Sequence, residues 1–174
     1  MTIRKILTEP DSFLRQKSVK VDKVDDEIRS LMTDMLETMY EAPGIGLAAI
    51  QIGVPKRVIV IDLSRTDEKK NPLYFVNPEI ITNSDNEATY EEGCLSVPGQ
   101  FAEINRPDKC KVKFLDYNGR EQILEAEGLL ATCIQHEIDH LEGILFIDYL
   151  SKLKKTMIVK KLSKQKKSLE RIVV

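Results

Sequence analysis

Lys109-Cys110-Lys111-Val112-Lys113-Phe114 alternates strictly between lysine and apolar residues, the period of a half-buried strand. Asn118-Gly119 follows as a hairpin turn signal, and Glu121-Gln122-Ile123-Leu124 reads as the returning strand. The period then changes, and residues 129–141 read as a helix that closes at Gly143.

Outward from this stretch, 57–62 is a short β-branched strand, and 74–77 and 79–82 read as two strands either side of Pro78. Val24, Ile28, Leu31, Met32, Met35, Leu36 and Met39 recur at steps of three and four, so 24–41 reads as a helix. Asp25, Asp26 and Glu27 favour its start, and Pro43-Gly44 ends it. A third helix is predicted over 150–170. The expected fold class is α+β, with mostly antiparallel strands around a central helix and further helices towards both ends.

The chain has 174 residues, enough for one domain with a core. No apolar run approaches the roughly 20 residues that span a bilayer. The first ten residues lack the apolar stretch and cleavage site of a signal peptide. Three cysteines, an odd number spaced by 16 and 23, argue against a disulfide framework and for a reducing cytoplasm.

Charge is uneven. Of the 26 basic and 28 acidic residues, 151–174 holds nine and one, so an acidic body of about −10 carries a tail of about +8. We therefore divide the chain into a body, 1–150, and a basic C-terminal helix, 151–174, packed on it and extending from it. Leu150, Leu153, Met157 and Ile158 are the expected docking stripe, which thins to Leu162 and Leu169 where lysines accumulate. A tail of this kind suits a polyanion, or simply balances an acidic body.

His136-Glu137-Ile138-Asp139-His140 is H-E-x-x-H on the predicted central helix, and it holds both histidines of the chain. Residues i and i+4 share a face about 6 Å apart along the axis. Two imidazoles there can converge on one divalent ion, with Glu137 beside them to take a proton from activated water. The bland alternative is a surface helix with two chance histidines.

A catalytic site of this type needs a third protein ligand. At the position where a metzincin would carry a third histidine the chain has Phe146, and the acids after Glu142 are only Asp148 and Glu170. An upstream thiolate is the natural candidate. Cys133 shares the helix face, but it lies seven residues from His140, about 10.5 Å along the axis, too far for three ligands on one helix. Cys110 alternates inward with Val112 and Phe114 and reads as core. Cys94 remains, within Glu91–Gly99, whose glycines and proline read as an irregular turn and not a core strand. A buried structural cysteine is the alternative there.

Gly44-Ile45-Gly46-Leu47-Ala48-Ala49-Ile50-Gln51 loosely matches a dinucleotide fingerprint, but a helix precedes it where that fingerprint needs a strand. It reads instead as a small-residue ledge beside a cleft, with the Gln51 amide free to donate to an oxyanion. A tight turn with a core glutamine is the bland reading.

Together, Gly44–Gln51, Glu92-Gly93-Cys94-Leu95-Ser96 and Gln135–His140 resemble the three signature motifs of the peptide deformylase family, in the right order. Ile6–Arg15 resembles the family's start, and the likeness covers about 3–150. It implies hydrolytic removal of the formyl group from the N-terminal formyl-methionine of nascent polypeptides, with 1–150 as a metallohydrolase domain. By position, Cys94, His136 and His140 are the implied metal ligands, and Glu137 the general base and acid. Gln51 and the Leu95 N–H would hold the oxyanion. Ile45, Gly46 and Gly93 would pair with the substrate backbone, and Cys133 would line the methionine pocket.

The implied cofactor is one divalent ion, Fe(II) in the cell, with Zn, Ni or Co as chemically suitable substitutes. The implied partners are the nascent formyl-methionyl peptide and, through the tail, the ribosome near its exit, with no DNA, no membrane and a monomeric, cytoplasmic protein. Some members carry an arginine where this chain has Phe101, so it departs from them at an outer substrate contact. The competing readings are a small metallopeptidase or amidase of other specificity, a non-catalytic metal module, and a cysteine hydrolase with Cys94 as nucleophile.

Overall fold

In the computed structural model, which describes residues 2–65 and 67–172, the fold is α+β and every strand pairing is antiparallel. Val173 and Val174 of the predicted tail lie outside the described residues. A five-stranded sheet runs in the order β1 (Gly46–Ala48), β2 (Val58–Ile61), β3 (Leu73–Asn83), β6 (Lys109–Leu115), β7 (Glu121–Glu127). A separate hairpin is made by β4 (Glu87–Cys94) and β5 (Val97–Pro107). The helices are α1 (Asp26–Glu41), α2 (Gly128–Leu141) and α3 (Lys152–Ile172). Among the described residues no helix is long and apolar enough to cross a membrane.

The alternation of β2 explains the layering. Val58 and Val60 face a core with Ile28, Met32, Met35 and Met39 of α1. Ile59 and Ile61 face the opposite core, with Phe75, Val112 and Ile134 of α2. A strand covered on both faces is apolar throughout, and all four residues are fully buried. Each such side chain contributes roughly 1.5–3 kcal/mol by leaving water. Asp25 caps α1 by accepting from the Ile28 N–H. Cys110 faces the α2 side of the core.

Three expectations are corrected. Pro78 does not divide two strands: β3 is continuous, with ladder irregularities between Val76 and Glu79 and between Ile80 and Thr82. A bulge tolerates a residue that has no N–H to donate. Glu91–Gly99 is not an irregular turn, since only Leu95 and Ser96 separate β4 from β5. The hairpin is hidden in sequence because its glycines, Pro98 and many charges depress β propensity, while cross-strand pairing supplies the stability. Ladder pairing with Ile61, Val60 and Ile59 likewise makes Gly46–Ala48 a short edge strand.

The docking of α3 is the third correction. Leu153 and Met157 do not pack on the body; they are 71% and 62% exposed. The anchors are Leu162, fully inside a cluster with Val97, Ile104 and Phe146, and the partly buried Ile158 and Val159. Lys155 Nζ lies 2.6 Å from Asp148 Oδ1. Positions 155, 158, 159 and 162 share one helical face, so this ion pair and the Leu162 pocket set the rotation of the helix.

Candidate metal centre

The central helix α2 is buried along most of its length, and His136, Glu137 and His140 sit in its last two turns. The two imidazoles stand with centroids 5.1 Å apart, edge to face. Cys94 ends β4 and faces them, with Sγ 3.2 Å from His140 Nε2. One ligand atom from each of Cys94, His136 and His140 lies within 4.8 Å of the others. One soft thiolate and two imidazoles in that space form a donor set suited to a single first-row divalent ion.

The surrounding groups orient this set. His136 Nδ1 lies 2.8 Å from Glu92 Oε2, so its proton is assigned to Nδ1 and Nε2 is left free as a ligand. Arg106 grips Glu92 with two donors, Nε at 2.6 Å and Nη2 at 3.1 Å. Its third nitrogen donates to Asp139 at 2.8 Å, and the Tyr149 hydroxyl donates to the same Asp139 oxygen at 2.7 Å. Burial pushes the Glu92 carboxyl up, but the His136 and Arg106 hydrogen bonds outweigh it and hold it below the usual range. An almost fully buried ion pair of this kind persists because every partner is hydrogen-bonded.

Gln51 is locked. Its Oε1 accepts from the Ala48 N–H at 2.8 Å, which fixes the amide orientation. Its Nε2 then donates to Ser96 Oγ at 3.0 Å and toward Cys94 Sγ at 3.6 Å. The Ser96 N–H also points to Sγ, at 3.4 Å. Glu137 is buried with Oε2 lacking a partner among the described residues, and burial pushes its carboxyl up to about 7. Both features suit a group that exchanges a proton with a bound molecule.

A cleft of about 460 Å³ leads to these residues, lined by Ile45, Gly46, Gln51, Gly93, Leu95 and Cys133 among others. It runs between two unpaired strand edges, β1 of the large sheet and β4 of the hairpin. The Ile45 carbonyl is taken by the Asp62 N–H at 2.9 Å. By ladder alternation the open backbone groups of β1 are then those of Gly46, and Ile45 offers the cleft its side chain. Cys133 stands outside the three-ligand cluster, and burial pushes its thiol up to about 12, so it is a neutral wall. A hollow of about 590 Å³ by Ser84, Lys109 and Glu127 contains none of these groups.

Sequence reasoning did not find Glu92, Arg106, Ser96, Asp139 or Tyr149 as site residues. A signal existed for Glu92. Two residues before Cys94, it shares that residue's face of β4, but reading the segment as irregular hid the period. Arg106 lies at the far end of β5, opposite Ala88 and not Glu92, and it is its long side chain that reaches back to Glu92.

The family model described as polypeptide deformylase matches residues 3–156. The peptide deformylase of Pelagibacter ubique (strain HTCC1062) is 67% identical over 174 residues, covering both chains completely. That of Phenylobacterium zucineum (strain HLK1) is 61% identical, over 97% of this chain and 99% of the relative. Among solved structures, peptide deformylase from Ehrlichia chaffeensis in complex with actinonin superposes with a TM-score of 0.91. It is 46% identical and covers 95% of this chain and 98% of that one. A peptide deformylase from Legionella pneumophila gives 0.89 at 48% identity, over 98% and 99%.

Proposed function

Because this chain belongs to the peptide deformylase family, and so is an enzyme that removes the N-formyl group from nascent peptides, we propose how its own residues divide that reaction. Cys94, His136 and His140 hold the divalent ion. When bound, the ion supplies Lewis-acid polarisation of the formyl carbonyl and makes water acidic enough to attack. Glu137 takes the proton of the attacking water and returns it to the leaving amine. Gln51 Nε2, with the proton that otherwise points toward Cys94 Sγ, and the Leu95 N–H donate to the oxygen that gains charge as the formyl carbon becomes tetrahedral.

The open edges at Gly46 and Gly93 take the substrate backbone between them as an added strand, with Ile45 alongside. Cys133 lines the pocket for the methionine side chain. Hydrogen is the smallest substituent a carbonyl carries, so a close-fitting site excludes larger acyl groups by size. The observation that carries this reading is the Cys94–His136–His140 cluster with the buried, unpaired Glu137 oxygen beside it.

Fe(II) is the ion we assign in the cell, on the family likeness, with Zn, Ni or Co accepted by the same donors; metal analysis of protein purified without oxygen checks it. A monomer is the assembly we assign, and sedimentation of the metal-loaded protein checks it. Residues 1–150 then form the catalytic unit, and α3 is its basic extension towards ribosomal RNA near the nascent-chain exit, in the cytoplasm. The test of the chemistry is formate release from a formyl-methionyl peptide with and without a chelator. Release that stops on chelation and returns with metal is expected, and release that survives complete metal removal would overturn it.

A further inference from the structure

Residues 2–8 belong to no helix or strand, yet their backbone is pinned to the body. The Thr2 N–H donates to Asp34 Oδ1 at 2.8 Å, and the Arg4 guanidinium grips Asp34 Oδ2 through Nε at 3.0 Å and Nη2 at 2.8 Å. The Arg4 N–H donates to Thr38 Oγ1 at 2.9 Å. Asp34 and Thr38 are buried residues of α1, so the start of the segment is stapled to that helix. Its other end is held as well. Glu9 is buried, with Oε2 3.5 Å from Arg15 Nη2, and Arg15 Nη1 lies 2.6 Å from Asp148 Oδ2.

Between these staples, two N–H groups donate to the turns that carry the site. The Leu7 N–H reaches the Gln51 carbonyl at 2.7 Å, and the Glu9 N–H reaches the Ser96 carbonyl at 2.8 Å. Gln51 sits in the 3-10 turn Ala49–Ile52 that follows β1. Ser96 sits in the two-residue turn between β4 and β5, directly after Leu95. Among the described residues no ladder joins the five-stranded sheet to the hairpin. Sheet pairing therefore does not set the gap between these two turns. Gln51 and Ser96 are almost fully buried, where an unpaired carbonyl is costly.

We propose that residues 2–9 are a positioning strap that sets the separation of Gln51 Nε2 and the Leu95 N–H. This rests on the reading that these two groups hold the oxygen on which charge develops. Leu7 fixes the Gln51 main chain while the Ala48 N–H fixes its amide, so the side chain is held at both ends. Glu9 fixes the far side of the Leu95–Ser96 turn, and with only two residues in that turn the Leu95 amide follows Ser96. One segment thus holds one donor from each sheet. Such groups must be placed to within about 0.5 Å, and about 1 Å of misplacement costs on the order of 10² in rate. Among the described residues none of 2–9 is a metal ligand or lines the cleft, so the strap acts through Gln51 and Ser96 and not on the substrate.

The experiment measures kcat and KM for formate release from formyl-Met-Ala-Ser, per bound metal. The variants are Leu7→Pro, Leu7→Ala, Gln51→Ala, and Leu7→Pro combined with Gln51→Ala. Leu7→Pro removes the N–H that holds Gln51. It is expected to lower kcat at least about tenfold, part of the roughly 10²–10³ that an oxyanion donor supplies. KM should stay within about twofold, because the donors act on the transition state. Leu7→Ala keeps the N–H and should restore most of the wild-type kcat. In the Gln51→Ala background, Leu7→Pro should cost no more than about threefold, because the group it positions is gone. Arg4→Ala frees the strap from α1 at a half-exposed side chain and repeats the comparison should Leu7→Pro not fold. It is expected to lower kcat about fivefold alone and less than about twofold with Gln51→Ala. Equal losses in both backgrounds, or wild-type kcat in the strap variants, would overturn the inference. A Gln51→Ala enzyme with wild-type kcat would instead overturn the oxyanion reading beneath it.

Discussion

A Cβ placed on Gly46 would stand 2.5 Å from Glu137 Oε1 and 3.0 Å from the carboxyl carbon. Glycine at this position is therefore a condition of where Glu137 sits. Gly46→Ala is expected to lower kcat/KM by about 10²-fold, the scale of a displaced catalytic group, while metal content stays stoichiometric. Steady-state formate release alongside metal analysis checks both. Glu137→Gln keeps size and loses the base, so it should also keep the metal and lose at least about 10² in kcat. Near-normal turnover would make Glu137 structural. Cys94→Ala should abolish stoichiometric metal and Cys110→Ala should retain it, since Cys94 stands with the two imidazoles and Cys110 in the core. The histidines were legible in sequence because four residues of helix place them on one face. Arg106 was not, because nothing local relates it to Glu92, fourteen residues away.

At the scale of elements, α3 depends on where its anchor lies. The apolar stripe read from sequence ran through Leu150, Leu153, Met157 and Ile158 and thinned at Leu162; Leu150 and Ile158 do pack, Leu153 and Met157 do not, and Leu162 is the buried contact. A chain cut near Lys160 would lose that anchor along with the terminal lysines and would confuse docking with charge. A chain ending at Ser163 keeps Leu162 and removes Lys164, Lys166, Lys167 and Arg171. It is expected to turn over a short formyl peptide normally and to co-sediment with ribosomes less at low salt. The full-length chain should lose its binding steeply as salt rises. Equal co-sedimentation of both chains would remove the tail from ribosome contact. Periodicity gave the existence of this helix. Its rotation was set by the Lys155–Asp148 pair and by the pocket beneath it, both outside the helix's own pattern.

Across the whole molecule, buried carboxylates tie the layers together. Asp62, at the end of β2, accepts from the Tyr40 hydroxyl of α1 at 2.6 Å and from the backbone N–H groups of Ser64 and Asn71. Burial pushes its carboxyl up, but these hydrogen bonds outweigh burial and hold it below the usual carboxylate range. A folded value below the unfolded one gives stability that is present above the unfolded pKa, about 4, and is lost as pH falls through the folded value. Asp62→Asn should therefore destabilise the protein by about 1.5–3 kcal/mol at pH 7, the range for hydrogen bonds to a charged group. The gap between variant and wild type should shrink below about pH 4. Urea denaturation at pH 7 and pH 3 measures it, and a gap independent of pH would show that packing, not charge, is what Asp62 supplies.

Sequence by itself determined the α+β class, the three helices and the converging imidazoles. Each rests on contacts between residues a few positions apart, where period and spacing are informative. The same local signals marked Cys94 and Gln51 as candidates without placing them. Tertiary structure decided the rest. It ran β3 through Pro78, closed β4 on β5 despite their glycines and charges, and brought Cys94 within 3.2 Å of His140 Nε2. It also assembled Arg106, Glu92 and Asp139 behind the ligands and turned α3 onto Leu162. Those outcomes depend on pairing and burial between segments far apart in the chain, where a neighbour's shape and charge outweigh local propensity.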